Sequence, residues 1–334
     1  MQHINPVKPS EAKGLVAQVY SQIKQDFGRI VEPFTLHSPI PQLLAGVWMA
    51  SRESELVGDV PRETKEAIAA CVSKLNQCPY CVDAHTIMLT AKGDKKTAQQ
   101  IAKEKYQNIK NPKTRKIAEW TLATLSPDSK IINNPPFRAG EAPEIIGTAV
   151  FYHYINPLVT IYLGKTPLPL PILRTPMKRI ASLLFKKAVN RLKTPGTSLS
   201  LLPDRSLPKD LTWTKDSPNV AGAYSRFAGV IKDIERTYVP EITRKTITQH
   251  VNEWSPATQQ NEIQRIRETK AKMNSLTKIA TTLALLTINH PYRIDKKTIN
   301  SFQRHCSQRN QLLAITAWAS FIKATKIGTW LAKQ

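Results

Sequence analysis

Apolar positions recur along this chain at helical spacing, and the breaks between them fall at proline and glycine. Residues 10–29 read as a capped amphipathic helix that ends at Gly28. A second helix is expected from about Pro41 to Val57, through Trp48 and Glu53. Val60-Pro61-Arg62-Glu63 opens a third, with proline early and an acid in the first turn, where both are favoured. Pro79 starts the next, which runs to about Lys92 and stops at Gly93. Helices around 95–106 and 112–125 follow. The Pro-rich stretch 127–143 reads as loop, and Ala142–Leu163 as a buried helix disturbed or ended near Pro157. Residues 164–208 form a junction. Within it, Met177–Lys193 places Ile180, Leu183, Leu184, Ala188 and Leu192 at helical spacing, with Lys186, Lys187 and Arg191 interleaved. The expectation is a bridging helix docked on its own protein, with a membrane surface or a partner's groove as the competing readings. The last helix is expected over Leu312–Leu331. No series of alternating β-branched runs bounded by turns appears, so the fold class expected is all-α.

Composition narrows this picture. The chain has 334 residues, 41% of them hydrophobic and only 12 of them Gly, enough for two globular units. No run of 18 apolar residues occurs, so no transmembrane span is expected. The first ten residues lack an apolar signal core, and four cysteines in so long a chain fit a reducing compartment, so a cytoplasmic location is expected. The net charge of +23 is uneven: residues 1–165 contribute +5, residues 166–205 +7 and residues 206–334 +11. Such an excess attracts an acidic partner or an anionic surface. No nucleic-acid motif accompanies it, so it is read first as general basicity and no nucleic-acid partner is expected.

The chemistry lies in Cys78-Pro-Tyr-Cys81-Val-Asp-Ala-His85. On a helix, Cys81 and His85 are i and i+4 neighbours. Cys78 would sit at the cap, beside the positive end of the helix dipole, which lowers a thiol's pKa. A neighbouring His can take the second thiol's proton, which makes Cys81 the base-activated thiol on this reading. A zinc site needs a fourth ligand, and Cys71 and Cys306 are single; haem attachment needs His where Val82 stands. Two buried structural cysteines remain as the plain reading. Cys71 reads as a core thiol, and His153 as a satisfied buried His.

A weak internal repeat runs at an offset of 179 residues. Val60-Pro61 falls on Val239-Pro240, Thr64 on Thr243, Ile68 on Ile247 and Trp48 on Phe227. Ser38-Pro39 falls on Ser217-Pro218. In the second copy Lys245, Ala257, Gln260 and Gln264 stand where Glu66, Cys78, Cys81 and His85 stand in the first. Three segments follow: a redox unit at 1–165, a Pro-rich basic linker with an amphipathic helix at 166–205, and a degenerate repeat at 206–334.

The segment Lys65–Thr86 resembles the AhpD-like alkylhydroperoxidases of the carboxymuconolactone decarboxylase family. Their motif is a Glu twelve residues before Cys-x-x-Cys-x-x-x-His, which Glu66, Cys78, Cys81 and His85 match. Some relatives carry His between the cysteines; this chain has Tyr80. The resemblance implies an AhpD-like helical bundle, here duplicated, and a homo-oligomer. It implies Cys78, Cys81, His85 and Glu66 as catalytic residues, a redox-active disulfide in place of any cofactor, and no metal. It also implies a hydroperoxide substrate and a thiol or dithiol donor such as a peroxiredoxin or lipoyl protein, in antioxidant defence. Twelve residues at ~100° each set Glu66 off the thiol face of a continuous helix, so it must arrive from a separate helix across the Asn76–Pro79 break. Its plain alternative is a salt bridge to Lys65 or Arg62. The competing functions are a non-catalytic interaction protein working through the basic distal half and a dithiol reductase of protein disulfides.

Overall fold

The computed structural model describes residues 1–168, 174–253, 273–306 and 308–332, and among these every regular element is helical. The main helices are α1 (Gly14–Phe27), α2 (Pro41–Ser51), α3 (Arg62–Leu75), α4 (Pro79–Ala91), α5 (Lys95–Ala102), α6 (Pro112–Leu122) and α7 (Ala142–Tyr162). They continue with α8 (Arg174–Asn190), α9 (Pro218–Tyr238), α10 (Glu241–Glu253), α11 (Ser275–Asn289), α12 (Lys296–His305) and α13 (Gln311–Leu331). Proline occupies the first or second position of α2, α4, α6, α7 and α9, where its missing N–H costs nothing. Many of the chain's prolines therefore start helices instead of breaking them. No helix among the described residues is long and apolar enough to cross a membrane.

Three expectations need correction. Helix α1 starts at Gly14, because Pro9–Glu11 form a separate 3₁₀ turn; Gly28 ends it as expected, with φ +75°. Pro157 neither ends nor divides α7, which continues to Tyr162. Both flanks of that helix are buried, and packing outweighs the roughly 3 kcal/mol that an interior proline costs. The basic helix α8 does dock on its own protein, through α4 and α1, but not by the predicted stripe. Ser182 and Val189 are its buried residues, while Ile180, Leu183, Leu184 and Leu192 are left exposed.

Most buried apolar residues of the N-terminal and distal parts form one contiguous core, with a smaller separate cluster among α3, α4, α5 and α6. Helix α2 packs on α9, and α7 on α13. The first pair approaches closely because Gly46 has no side chain: a Cβ there would lie 2.9 Å from the Phe227 ring and 3.2 Å from its Cα. Phe227 also meets Tyr154 and Phe321 edge-on, at 5.0 and 4.6 Å between ring centroids. Across the second pair, Ser320 donates to the Tyr154 carbonyl at 2.7 Å. Helices α3 and α10 begin 179 residues apart, at Arg62 and Glu241. The counterparts of the dithiol and its histidine, Ala257, Gln260 and Gln264, lie outside the described residues.

Candidate active site

Asn76 and Gln77 break the chain between α3 and α4, with Gln77 in the left-handed region at φ +54°. Cys78 is the N-cap of α4 and Pro79 its first residue. One helical turn then brings the Cys78 and Cys81 sulfurs 2.9 Å apart, both thiols free. They are only 1% and 3% exposed. Closure to a disulfide asks for little more than side-chain adjustment.

The two thiols are driven apart electrostatically. Burial pushes Cys78 up, but the Cys81 thiol, the helix-start amides of Cys81 and Tyr80 and the Thr160 hydroxyl draw it below its ordinary value. Burial, together with the bond to Cys78 and its charge, pushes Cys81 well up. Of the pair, Cys78 is therefore the more acidic thiol. That is the direction expected of a thiol at the helix cap. The Cys81 thiol and the cap amides act on Cys78 directly, and nothing comparable lowers Cys81.

The His85 imidazole is engaged with Glu66, which reaches across the α3–α4 break as its spacing requires. His85 Nδ1 lies 2.8 Å from Glu66 Oε2. Burial favours a neutral Glu66, but Arg62 and His85 hold its carboxyl below the usual range. An ionised Glu66 only accepts, so Nδ1 carries the hydrogen, and in the neutral imidazole the lone pair is then on Nε2. The alternative reading of Glu66 also holds in part, since Arg62 Nε donates to Oε1 at 2.8 Å. Lys65 turns away and pairs with Glu144.

Two participants were not foreseen, and a third, Arg62, was foreseen only as a salt-bridge partner of Glu66. The end of α2 loosens into a π turn, Arg52–Leu56, which carries Glu55 into the site. Glu55 lies 3.5 Å from Arg62 and 3.9 Å from His85. Burial raises its pKa against the pull of Arg62, and the neighbouring Glu66 adds to the rise. Tyr152 of α7 donates to Glu55 at 2.8 Å and packs its ring edge-on against His85, 4.6 Å between centroids. Arg62 is the third, bonding Glu66 and reaching Glu55. The available signal was charge in an apolar setting: Glu53 and Glu55 interrupt a run that is buried from Leu43 onward. Tyr80, between the cysteines, donates to Glu32 at 3.0 Å.

Donor atoms of Glu55, Glu66 and His85 all lie within 4.8 Å of one another, a spacing compatible with a cation. The Arg62 guanidinium already supplies positive charge there, and both Glu66 oxygens are engaged, so the cluster is suited to holding and moving protons. Cys71 is buried in a separate apolar cluster with Leu89 and Ile101, its thiol pushed up by burial. Cys306 lies far along the chain, bonded to Gln311. His153 is a satisfied buried histidine, bonded to Thr124 and Asn76.

Cys81 and His85 share one wall of a cavity of about 530 Å³, which Cys78 does not line. Its other surfaces are mostly apolar, from Phe27 and Phe34, from Phe151 on α7, and from Met177 and Phe185 on α8. The arrangement offers a buried sulfur pair, an imidazole with a free nitrogen and an apolar chamber over both.

Comparison with known proteins gives the family. Residues 42–103, which hold α3, α4 and the dithiol, match the model of the carboxymuconolactone decarboxylase family. Over 330 residues the chain is 34% identical to alkyl hydroperoxide reductase Rv2159c of Mycobacterium tuberculosis (strain ATCC 25618 / H37Rv), covering 98% of this chain and 94% of that protein. A likeness of this extent takes in the distal half as well as the dithiol, and the chain belongs to the carboxymuconolactone decarboxylase family, among its AhpD-like members.

Proposed function

We propose that this protein is a dithiol peroxidase that reduces an organic hydroperoxide at Cys81, with Cys78 as the resolving thiol. The observation that carries this reading is that Cys81 and His85 face one apolar cavity while Cys78 stands 2.9 Å behind the sulfur. The Cys81 proton passes to His85 Nε2, whose opposite nitrogen is anchored on Glu66. The thiolate attacks the outer peroxide oxygen, the O–O bond breaks, and the alkoxide takes a proton and leaves as an alcohol. Cys81 is then a sulfenic acid. Cys78, already the more acidic thiol, displaces its hydroxyl as water and closes the disulfide. One hydroperoxide and two thiols thus give one alcohol, one water and one disulfide, which an external thiol or dithiol reduces again.

The deep burial of both sulfurs favours a slender donor, such as a lipoyl arm or a small thiol, over a protein disulfide presented on a flat surface. It likewise weighs against a reductase of protein disulfides. The distal half serves on this reading as a silent copy. Its α9 and α13 cover α2 and α7, surfaces that a single copy would bury against another subunit.

The test is a thiol count before and after one equivalent of cumene hydroperoxide. Two thiols should disappear, and the peptide carrying Cys78 and Cys81 should lose two hydrogens by mass. An unchanged count, or a link involving Cys71 or Cys306, would overturn the proposal.

A further inference from the structure

Helix α8 is both a wall of the cavity and an outer surface. Ile180 and Leu184 line the chamber, yet they are 60% and 70% exposed. Leu183 is 70% exposed, and Leu192, just beyond the helix, 96%. Four large apolar side chains on one short segment are thus left in water, at the mouth of an apolar chamber. Arg179, Leu183 and Lys186 form one i, i+3/i+4 row, and Ile180, Leu184, Lys187 and Arg191 form the next. All four of these basic residues are exposed. From 174 to 203 the chain has no acidic residue. The acids nearby are already engaged: Asp83 pairs with Lys178 at 2.7 Å, Asp26 with Arg52 and Glu55 with Arg62, and Glu32 accepts from Tyr80. Arg29 adds an exposed positive charge at the cavity's edge.

A helix with exposed leucines flanked by lysine and arginine has the composition of one that lies in a lipid–water interface. A second copy of the chain fits this face poorly, because a twofold contact would set the same basic row against itself. Lipid with anionic headgroups complements it: acyl chains receive the leucines, and phosphates receive the cations.

We propose that α8 seats the protein on an anionic lipid surface, and that the cavity behind it takes the oxidised acyl chain of a membrane lipid. The substrate class is thereby a lipid hydroperoxide entering from the bilayer past Ile180 and Leu184. A chamber of about 530 Å³ lies within the roughly 300–1,000 Å³ common for pockets that enclose drug-sized apolar ligands. The substrate assignment rests on the peroxidase reading above; the docking does not.

Co-sedimentation of the full chain with vesicles of phosphatidylcholine containing about a third phosphatidylglycerol tests the docking. Binding is expected there, and is expected to fall with added salt and to be weak on pure phosphatidylcholine. The double variant Leu183→Glu/Lys187→Glu alters exposed residues that do not line the cavity, and Leu192→Glu is a second, milder probe. The double variant should lose about tenfold or more in vesicle affinity. It should reduce hydroperoxide formed within those vesicles correspondingly more slowly, while reducing soluble cumene hydroperoxide at the wild-type rate. Wild-type protein that does not sediment overturns the inference, as does a variant that turns a dimer into a monomer without touching vesicle binding. Protein that sediments but reduces no cumene hydroperoxide would sink the peroxidase reading and support the docking.

Discussion

Helices α3 and α10 make an instructive pair. Counted 179 residues apart, Thr64 and Thr243 are both buried, as are Ile68 and Ile247. The charged positions behave oppositely. Arg62 and Glu66 form a buried i, i+4 pair that also holds His85. The matching positions, Glu241 and Lys245, form an i, i+4 pair of reversed sign that stands in solvent, its side chains 66% and 77% exposed. Packing positions agree where chemistry does not, because a core asks for volume and a site asks for particular groups. The same salt-bridge spacing anchors the His85 imidazole in one helix and is a solvated decoration in the other.

Replacement of the cavity-facing sulfur probes this contrast most strongly. Cys81→Ser should lower peroxide turnover about a thousandfold or more, whereas Cys306→Ser in the distal half should leave it unchanged. Steady-state peroxide consumption measures both, and a Cys81→Ser protein with substantial turnover would erase the distinction. Next in size is Glu66→Gln, which unhooks His85 and leaves Arg62 buried with one partner fewer. A fall of about a hundredfold in turnover and a loss of about 3 kcal/mol in urea unfolding are expected. Lys245→Gln, its counterpart, should leave both measurements where they were; equal effects from the two would mean that the helices are not divided in this way.

Acid should weaken both parts. Burial lowers His37 and His153 to about 3 and His250 of α10 to about 4. The unfolded chain takes up these protons near pH 6.5 and the folded chain does not, so stability is present above that pH and drains away as pH falls toward the folded values. Each such histidine contributes a slope of up to about 1.4 kcal/mol per pH unit. Unfolding between pH 6.5 and 4 should show this slope reduced in His153→Gln, and a melting temperature flat across that range would contradict it. The smallest effect belongs to Glu55. Its raised pKa means that its contribution is full below the unfolded value and is lost as pH rises through the folded one. Glu55→Gln should therefore match the parent below the ordinary carboxyl value and gain relative stability as pH rises above it, which pH-dependent melting reads directly.

Much of this was legible in the chain itself, for reasons that differ by residue. Cys78, Cys81 and His85 share one local helix, so spacing alone fixes their neighbourhood. Glu66 was singled out by the family resemblance, and a proline with a twelve-residue count then required it to come from a second helix. Glu55 and Tyr152 could not be placed, since they arrive from elements far away in sequence and one of them rides on an irregular turn. The outer face of α8 was misread because its apolar stripe is real but points outward; periodicity reports a face and not what covers it. Pro157 misled for the complementary reason, that a local rule yielded to burial on both sides.

The π turn at Arg52–Leu56 holds one residue more than a regular helix would place there. Glu53 faces the linker from it, accepting from the Gly196 amide and the Ser198 hydroxyl at 2.7 Å each, while Glu55 faces the site. Deleting a single residue would restore ordinary winding and swing every side chain beyond it by about 100°. Both carboxylates would then miss their partners at once. In genealogical terms this turn is a hard spacer, a stretch where descendants can trade side chains but cannot change length.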